Sequence, residues 1–361
     1  MAKEILFSFE LEPGMVVCED IFDPKGRLIL SKGTALNNDA INKLEYFSIL
    51  EVPIDTSIEA IPDVDEIIME ATGGSSIKDT EEFKLFSEDY NKTIDTTKSI
   101  LDSVAISHAD ADTDAIVNAV NSLTDTCNNS MQMLDMLHNI ETNDEQTYHH
   151  CLKVALIAQV LGKWLGVSQE DLNQLAIAGI LHDIGKLAIP PEVLNKKGKL
   201  TNIEYELVKS HVVRGYEYIK DMDLDIRIKE ACLLHHERCD GSGYPFKVKS
   251  DRISPFAKII AIADVYDAMT SSRSYRKSFC PFDVIQLFDS EGLYKYDPQY
   301  IMTFLENIVS SYVNSRVRLS DGREGEIILI NKICLYKPIV KVGNEFVDLS
   351  RQSGLKITDV L

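Results

Sequence analysis

The sequence predicts a mainly α-helical protein with a small β-rich segment at each end. From about residue 62 to residue 314, apolar residues recur at intervals of three and four, which is the period of helices that bury one face. Short apolar runs separated by turn-forming residues occupy the N-terminal part, and similar runs flank Asp321-Gly322, a hairpin signal, near the C-terminus. The length of 361 residues allows about two or three folding units.

We expect four consecutive segments along the chain. They are a small β-rich N-terminal domain over residues 1–61, a helical connector over 62–140, a helical domain over 141–314 and a C-terminal β-hairpin appendage over 315–361. The composition shift into acidic and hydroxyl residues after residue 62 marks the connector.

Local signals place elements within these segments. Turns are predicted at residues 12–15 and 23–26 of the N-terminal domain, where Pro and Gly cluster. In the helical domain, a helix follows His149-His150, another runs from Ser168 to about Leu181, and the capping box of Thr201 opens a third. A late helix begins at Asp297-Pro298.

Composition and charge exclude several classes of function. A formal net charge of −20 argues against binding to nucleic-acid polymers or anionic membranes, so a small anionic substrate would need a local positive site. There is no run of 18 apolar residues and no export signal, so we expect no membrane span and a cytoplasmic location. The seven cysteines are scattered and odd in number, which is typical of reduced thiols.

Histidine placement carries the strongest chemical signal. Five of the eight histidines fall between residues 150 and 236, and they are interleaved with aspartates. The series is His150, His182, Asp183, His211, His235, His236 and Asp264. Imidazoles and carboxylates without thiolates suit divalent iron, manganese or zinc, and this number of ligands could hold two ions. Since a carboxylate can bridge two metals, Asp183 is the natural bridge.

The adjacent pair His235-His236 constrains the local structure. Neighbouring residues of a helix point about 100° apart, so both imidazoles reach one site only near a helix end. The glycine-rich stretch from Asp240 to Pro245 ends the helix within a few residues.

Over roughly residues 140 to 310, the sequence resembles the HD-GYP branch of the HD phosphohydrolase superfamily. The motifs that carry the resemblance are Leu181-His182-Asp183-Ile184-Gly185-Lys186, His235-His236-Glu237-Arg238-Cys239-Asp240-Gly241-Ser242-Gly243-Tyr244-Pro245 and Ala263-Asp264-Val265-Tyr266-Asp267. The resemblance implies an HD-type helical bundle around a di-metal centre. It also implies hydrolysis of cyclic di-GMP to the linear dinucleotide, GMP or both, by attack of a metal-bridging hydroxide.

The resemblance assigns the metal ligands position by position. One metal takes His150, His182, Asp183 and Asp264, and the second takes Asp183 with His211, His235 and His236. Iron or manganese is the expected metal. Some family members hold a third metal through a glutamate at the position of Gln146; since an amide is a poorer ligand than a carboxylate, two metals are favoured here. Asp267 is either a third-metal ligand or an orienting carboxylate.

Further roles follow from the resemblance and from charge. Two divalent ions outweigh the two aspartates and a hydroxide by about one positive charge, which attracts a phosphodiester. Lys186 is expected to contact phosphate or donate a proton, and Arg273 and Arg276 to contact substrate phosphates. Tyr244 either lines the pocket or presents the Gly-Tyr-Pro loop to a signalling partner. The connector helices make a homodimer plausible.

Three other functions stay open at this point. The substrate could be another nucleotide, such as hybrid cyclic GMP-AMP or a nucleoside monophosphate. The chain could be a non-catalytic cyclic-dinucleotide sensor, although sensors are expected to have lost metal ligands. An oxygen-using di-iron protein fits the same ligands, but Lys186 and Arg273 favour phosphate chemistry.

Overall fold

The computed structural model of the protein divides into two units. It describes residues 3–7, 11, 15–22, 28–34, 36, 40–41, 44, 49, 51–55, 80–140, 146–196, 198–271, 279–352 and 354–361. One unit is drawn from Met1–Ser76 and Ser272–Phe279, and the other from Ile77–Ser271 and Cys280–Leu361. Among the described helices, none combines the length and hydropathy needed to cross a bilayer.

The first unit is built on two small antiparallel sheets. Strand β1 (Lys3–Phe7) pairs with β4 (Glu51–Asp55), and β2 (Ile21–Phe22) pairs with β3 (Leu28–Leu30). Apolar side chains of these strands and of the segments between them form a separate core, which confirms the predicted β-rich character. The predicted turns at residues 12–14 and 23–26 lie outside the described residues.

The second unit is mainly helical, as predicted. Its helices are α1 (Glu81–Ser107), α2 (Thr113–Asp125), α3 (Ser130–Asn139), α4 (Gln146–Leu165), α5 (Gln169–Leu181), α6 (Pro191–Leu194), α7 (Asn202–Lys209), α8 (His211–Ile219), α9 (Ile226–Leu234), α10 (Pro255–Thr270), α11 (Pro281–Leu287), α12 (Leu293–Lys295) and α13 (Pro298–Ser311). A 3-10 turn spans Ile184–Ala188, directly after α5, and a π turn spans Phe288–Gly292.

Helix starts follow the capping signals in the sequence. Ser168 caps α5, Thr201 and Glu204 form both halves of a capping box on α7, and Asp297 caps α13 with Pro298 at the first helical position. Each capping side chain accepts a backbone N–H that the first helical turn would otherwise leave unsatisfied.

Helix α4 lies at the centre of the helical unit and packs against α5 and α10. Its residues from 151 to 162 are all buried. A Cβ added to Gly179 of α5 would lie 2.3 Å from the Cα of Ala155, so glycine is needed for α4 and α5 to approach this closely. The connector helices α1 and α2 pack on the same unit, against α4 and α5 respectively.

The C-terminal segment forms a sheet that is larger than the predicted hairpin. Strands β5 (Arg316–Leu319) and β6 (Glu324–Leu329) flank Asp321-Gly322, as expected. Strands β7 (Ile339–Val342), β8 (Glu345–Asp348) and β9 (Ile357–Val360) complete an antiparallel sheet in the order β8-β7-β6-β5-β9. The segment boundaries at residues 61, 140 and 314 stay predictions.

Candidate metal centre

Five structural elements bring the predicted ligands together. His150 lies on α4, His182 and Asp183 directly follow α5, and His211 is the first residue of α8. His235 and His236 follow the last residue of α9, and Asp264 lies on α10. The expectation that the adjacent histidines sit at a helix end is confirmed, because α9 stops at Leu234.

The side chains form two groups that could each hold a metal ion. Within each group the ligand atoms all lie within 4.8 Å of one another. The first group is Asp183, His211, His235 and His236, and the second is His150, His182 and Asp264.

Asp183 lies between the two groups and divides its two oxygens between them. Its Oδ1 lies 3.1 Å from Nε2 of His211 and 3.7 Å from Nε2 of His235. Its Oδ2 lies 3.3 Å from Nε2 of His182 and 3.4 Å from Nε2 of His150. A carboxylate placed in this way could contact an ion in each group.

Buried polar atoms at this point fit a metal. Within the described chain, Nε2 of His182 and Oδ1 of Asp183 are buried and have no hydrogen-bond partner, whereas Oδ2 of Asp183 forms an ion pair with Lys186. A buried polar atom without a partner costs about 1–3 kcal/mol, so native proteins rarely leave two together. Nitrogen and oxygen ligands of this kind suit a divalent transition metal.

Backbone carbonyls set the tautomers of three of the imidazoles. Nδ1 of His182 lies 2.7 Å from the carbonyl oxygen of Gly179, Nδ1 of His211 lies 2.7 Å from that of Val208, and Nδ1 of His235 lies 3.0 Å from that of Cys232. Because a carbonyl oxygen only accepts, each Nδ1 carries the proton and donates it. Each Nε2 therefore keeps its lone pair toward the centre, as metal-binding histidines do.

A comparison with protein families finds a match over the part of the chain that carries these side chains. A family model described as "HD domain" matches residues 129–300. The chain is 37% identical over 204 residues to "Cyclic di-GMP phosphodiesterase PA4108" of Pseudomonas aeruginosa, covering 56% of this chain and 49% of that protein. It is 31% identical over 191 residues to "3'3'-cGAMP-specific phosphodiesterase 2" of Vibrio cholerae, covering 52% of this chain and 37% of that protein.

Residues 129–300 resemble the HD domain family. The resemblance to HD-GYP proteins is confirmed for this domain. A solved structure, Bd1817, a HDG"Y"P protein from Bdellovibrio bacteriovorus, matches with a TM-score of 0.49 and 15% identity, over 85% of this chain and 99% of that chain. The chain spans about half the length of the Pseudomonas relative, at 49%, and 37% of the Vibrio one.

The fourth imidazole of the HD domain is held by side chains instead of a carbonyl. Nδ1 of His150 lies 2.7 Å from Oδ2 of Asp267, one turn after Asp264 on α10. The other oxygen of Asp267 accepts a hydrogen bond of 2.7 Å from the hydroxyl of Ser271, and Lys153 donates to that hydroxyl at 3.2 Å. Both oxygens of Asp267 are thus engaged, which favours an orienting role over direct metal ligation.

The carboxylates of the centre set the charge of the imidazoles. Burial alone would lower the pKa of His150, but hydrogen bonds to Asp183, Asp264 and Asp267 outweigh burial and raise the pKa to about 10. Burial lowers the pKa of His235 to about 3. Burial alone would raise the pKa of Asp183, yet Lys186 and the imidazoles hold it well below the usual range.

Two further predicted site residues of the HD domain lie beside the ligands. The 3-10 turn brings the ammonium of Lys186 onto Oδ2 of Asp183 as an ion pair. The ring of Tyr244 stacks on His236 with 4.7 Å between centroids and 25° between planes. The loop that carries Tyr244 is anchored by buried Glu237, which accepts hydrogen bonds from the backbone N–H groups of Phe246 at 2.6 Å and Val248 at 3.1 Å.

The remaining candidates are not brought into the described centre. Arg273 and Arg276 lie outside the described residues, so their role stays a prediction. Gln146 is the first residue of α4, and its side chain lies outside the described part of the structure. His149 turns away toward α1, where its Nδ1 lies 3.3 Å from the hydroxyl of Tyr90.

Sequence reasoning missed three residues that support the site. Lys153 is buried within the apolar face of α4, and a lysine inside such a run was an available signal. Glu237 lies within the motif from His235 to Pro245, which was an available signal. Ser271 had no comparable signal, because its importance depends on a contact with Lys153, 118 residues away.

Proposed function

We propose that this chain is a metal-dependent phosphodiesterase that hydrolyses cyclic di-GMP to the linear dinucleotide, GMP or both. The observation that carries the proposal is Asp183, whose two oxygens face two separate sets of imidazoles. A bridging carboxylate of this kind suits the two-metal chemistry of phosphodiester hydrolysis. The printed name of the Pseudomonas relative supports the choice of cyclic di-GMP.

The proposed ligands are those of the two groups. His150, His182, Asp183 and Asp264 would hold one divalent ion, and Asp183, His211, His235 and His236 the other. Iron or manganese fits this donor set best. Two such ions, when bound, supply Lewis acidity and an activated water at neutral pH.

The chain's own side chains position the substrate and move protons. Lys186, beside Asp183, would exchange its ion pair for a substrate phosphate oxygen or donate a proton to the leaving ribose oxygen. Tyr244 would line the substrate side of His236. Arg273 and Arg276 are proposed phosphate contacts. Asp267 would keep His150 oriented.

A second candidate substrate is hybrid cyclic GMP-AMP. It rests on the 31% identity to a relative named for that nucleotide, but the 37% identity to the Pseudomonas relative favours cyclic di-GMP. A signalling partner at the Gly243-Tyr244-Pro245 loop and a homodimer through the connector are further predictions, as is a cytoplasmic location.

The deciding experiment combines metal counting with product analysis. Protein is purified without oxygen, its metals are counted by mass spectrometry, and cyclic di-GMP, hybrid cyclic GMP-AMP and cyclic di-AMP are each incubated with iron- or manganese-loaded protein. We expect two metals per chain and conversion of cyclic di-GMP. Two bound metals with all three nucleotides intact would reject the enzyme in favour of the sensor, and preferential cleavage of the hybrid would favour the second substrate.

A further inference from the structure

A row of rings and one ammonium leads from the metal centre to the surface. It starts at His236, on which Tyr244 is stacked at 4.7 Å. The ammonium of Lys209 lies 5.8 Å from the centroid of Tyr244 and 4.9 Å from the centroid of Tyr205. Tyr205 and Lys209 lie four residues apart on α7, and Lys209 is two residues before the ligand His211.

The outer end of this row is open to a ligand. Tyr205 is 52% exposed. An ion pair between Glu206 and Lys209, three residues apart, holds the ammonium where it contacts both tyrosine rings. A single exposed tyrosine has no special meaning. Tyr205 is a different case, because Lys209 contacts both its ring and the ring of Tyr244. Tyr244 is in turn stacked on His236, a predicted metal ligand, and the substrate must extend outward from that ligand.

We propose that Tyr205 and Lys209 form a subsite that binds one guanine base of the substrate. This inference rests on the proposed function, and it specifies which residues would select the base of the substrate. A cyclic dinucleotide carries its two bases outside a ring of riboses and phosphates, so a base must lie away from the phosphate at the metal centre. The ammonium of Lys209 lies over the ring of Tyr205, so a base would stack on this ring as the ammonium moves from the ring face to the edge of the base. Proteins commonly stack unpaired bases on aromatic rings.

Lys209 makes this subsite selective for guanine. Its ammonium has three donors and no acceptor. Guanine presents two neighbouring acceptors, N7 and O6, and lysine is a common partner of that edge, whereas adenine presents a donor, the N6 amino group, beside N7. Lys209 therefore finds two acceptors on guanine and only one on adenine. A phosphate contact by the same ammonium would show no such preference.

The test compares variants of the metal-loaded chain in steady-state hydrolysis of cyclic di-GMP. Cyclic di-AMP is added as a competitor, and its inhibition constant is measured whether or not it is cleaved. Tyr205→Ala should lower kcat/KM for cyclic di-GMP about tenfold, within the range for loss of one stacked base. Tyr205→Phe should recover most of the kcat/KM that Tyr205→Ala loses, since the ring face remains. Lys209→Met should reduce the preference for cyclic di-GMP over cyclic di-AMP by about tenfold.

The matched control is Lys220→Met. Lys220 forms the same kind of ion pair three residues from Glu217, at the end of α8, and should leave both constants unchanged. If the wild type hydrolyses cyclic di-GMP but Lys209→Met keeps the wild-type base preference, the guanine subsite is wrong and the proposed function stands. An equal loss for both nucleotides would assign Lys209 to phosphate and also overturn base selection. If the wild type cleaves no cyclic dinucleotide, both proposals fall.

Discussion

Nδ1 of His150 and Oδ2 of Asp267 lie 2.7 Å apart, although 117 residues separate them in the sequence. The carboxylate thereby fixes which nitrogen of His150 faces Asp183 and Asp264. Carboxylate partners of metal-binding histidines orient the ring and raise its basicity, and their loss commonly costs about 10–100-fold in metal affinity or activity.

We therefore expect Asp267→Asn to weaken metal binding by about 10-fold or more. The amide keeps the shape of the side chain and can still accept one hydrogen bond from His150, but it carries no charge. Competition with a fluorescent chelator measures the dissociation constant. The control is Asp171→Asn, which removes a carboxylate paired with Arg227 instead. Unchanged metal affinity with lost turnover would show that Asp267 acts in the chemistry and not by orienting His150.

Lys153 is expected to act on the metal centre through Asp267. Its side chain is buried, with 5% of its surface exposed, and reaches Asp267 through the hydroxyl of Ser271. Lys153→Met removes the positive charge behind the carboxylate, so metal affinity should fall several-fold while the fold is kept. Lys163→Met, at an exposed position of α4, should have no effect.

A double-mutant cycle tests this path. If Lys153 acts through Asp267, the variant carrying both Lys153→Met and Asp267→Asn should bind metal no more weakly than Asp267→Asn alone. Losses of affinity that simply add would show that Lys153 influences the centre by another path.

Much of the metal centre could be predicted because its ligands lie in short motifs with fixed order. Helix caps such as Ser168 and Thr201 could also be predicted, since each cap depends on only three or four consecutive residues. The hydrogen bonds that connect Lys153, Ser271 and Asp267 could not be predicted, because they exist only where α4 packs on α10. The approach of Lys209 to Tyr244 likewise depends on the position of α7 beside a loop 35 residues further on.

Lys186→Ala should separate metal binding from turnover. Lys186 pairs with Asp183 but is not itself a ligand, so the variant should keep two metals and lose about 100-fold or more in kcat, the usual scale for a lost proton donor. Asp183→Ala should instead lose both metal and turnover, because it removes the bridge. Mass spectrometry of bound metal and kcat are measured on both variants. A Lys186→Ala protein that loses its metals would contradict this separation.

Metal binding to protein stripped by a chelator should depend on pH through His150. In that protein the pKa of His150 is raised to about 10, so the imidazole is protonated at neutral pH and a metal must displace the proton. His235, whose pKa is lowered to about 3, is already neutral and releases none. Apparent affinity should therefore rise as pH increases from 6.5 to 8.5, by up to about tenfold per unit.

Calorimetry in two buffers of different ionisation enthalpy counts the released protons. On binding metal at pH 7, His150→Gln should release about one proton fewer than the wild type. His235→Gln should release as many protons as the wild type, because His235 is already neutral before metal binds. Equal proton counts in the wild type and His150→Gln would show that the carboxylates do not hold His150 in its charged form.

The stability of the stripped protein should depend on pH with opposite signs for these two histidines. His150, with a raised pKa, contributes stability that is complete below about 6.5 and is lost as pH rises through about 10. His235, with a lowered pKa, contributes stability that is complete above about 6.5 and is lost as pH falls toward 3. The unfolding midpoint in urea should therefore decline on both sides of neutrality. A midpoint that does not move between pH 7 and pH 4 would argue against a buried neutral His235.

Gly185 connects the stability of the fold to the geometry of the centre. A Cβ at this position would lie 2.0 Å from the carbonyl oxygen of His211 and 2.5 Å from the backbone nitrogen of Gly215, so the 3-10 turn and α8 could not keep their present separation. Gly185→Ala should destabilise the protein by about 1–3 kcal/mol, as overpacking does. It should also weaken metal binding, since Asp183 and Lys186 would shift relative to His211.

The matched control is Gly292→Ala, where the nearest atom to an added Cβ lies 3.4 Å away, in ordinary contact. That variant should keep the wild-type unfolding midpoint and metal affinity, or gain slightly in stability through lower entropy of the unfolded chain. Thermal unfolding with and without metal measures both terms. If Gly185→Ala lowered the midpoint equally with and without metal, the 3-10 turn would support the fold alone. We expect a larger loss in the presence of metal, because the same displacement moves Asp183 away from the imidazoles that it must face.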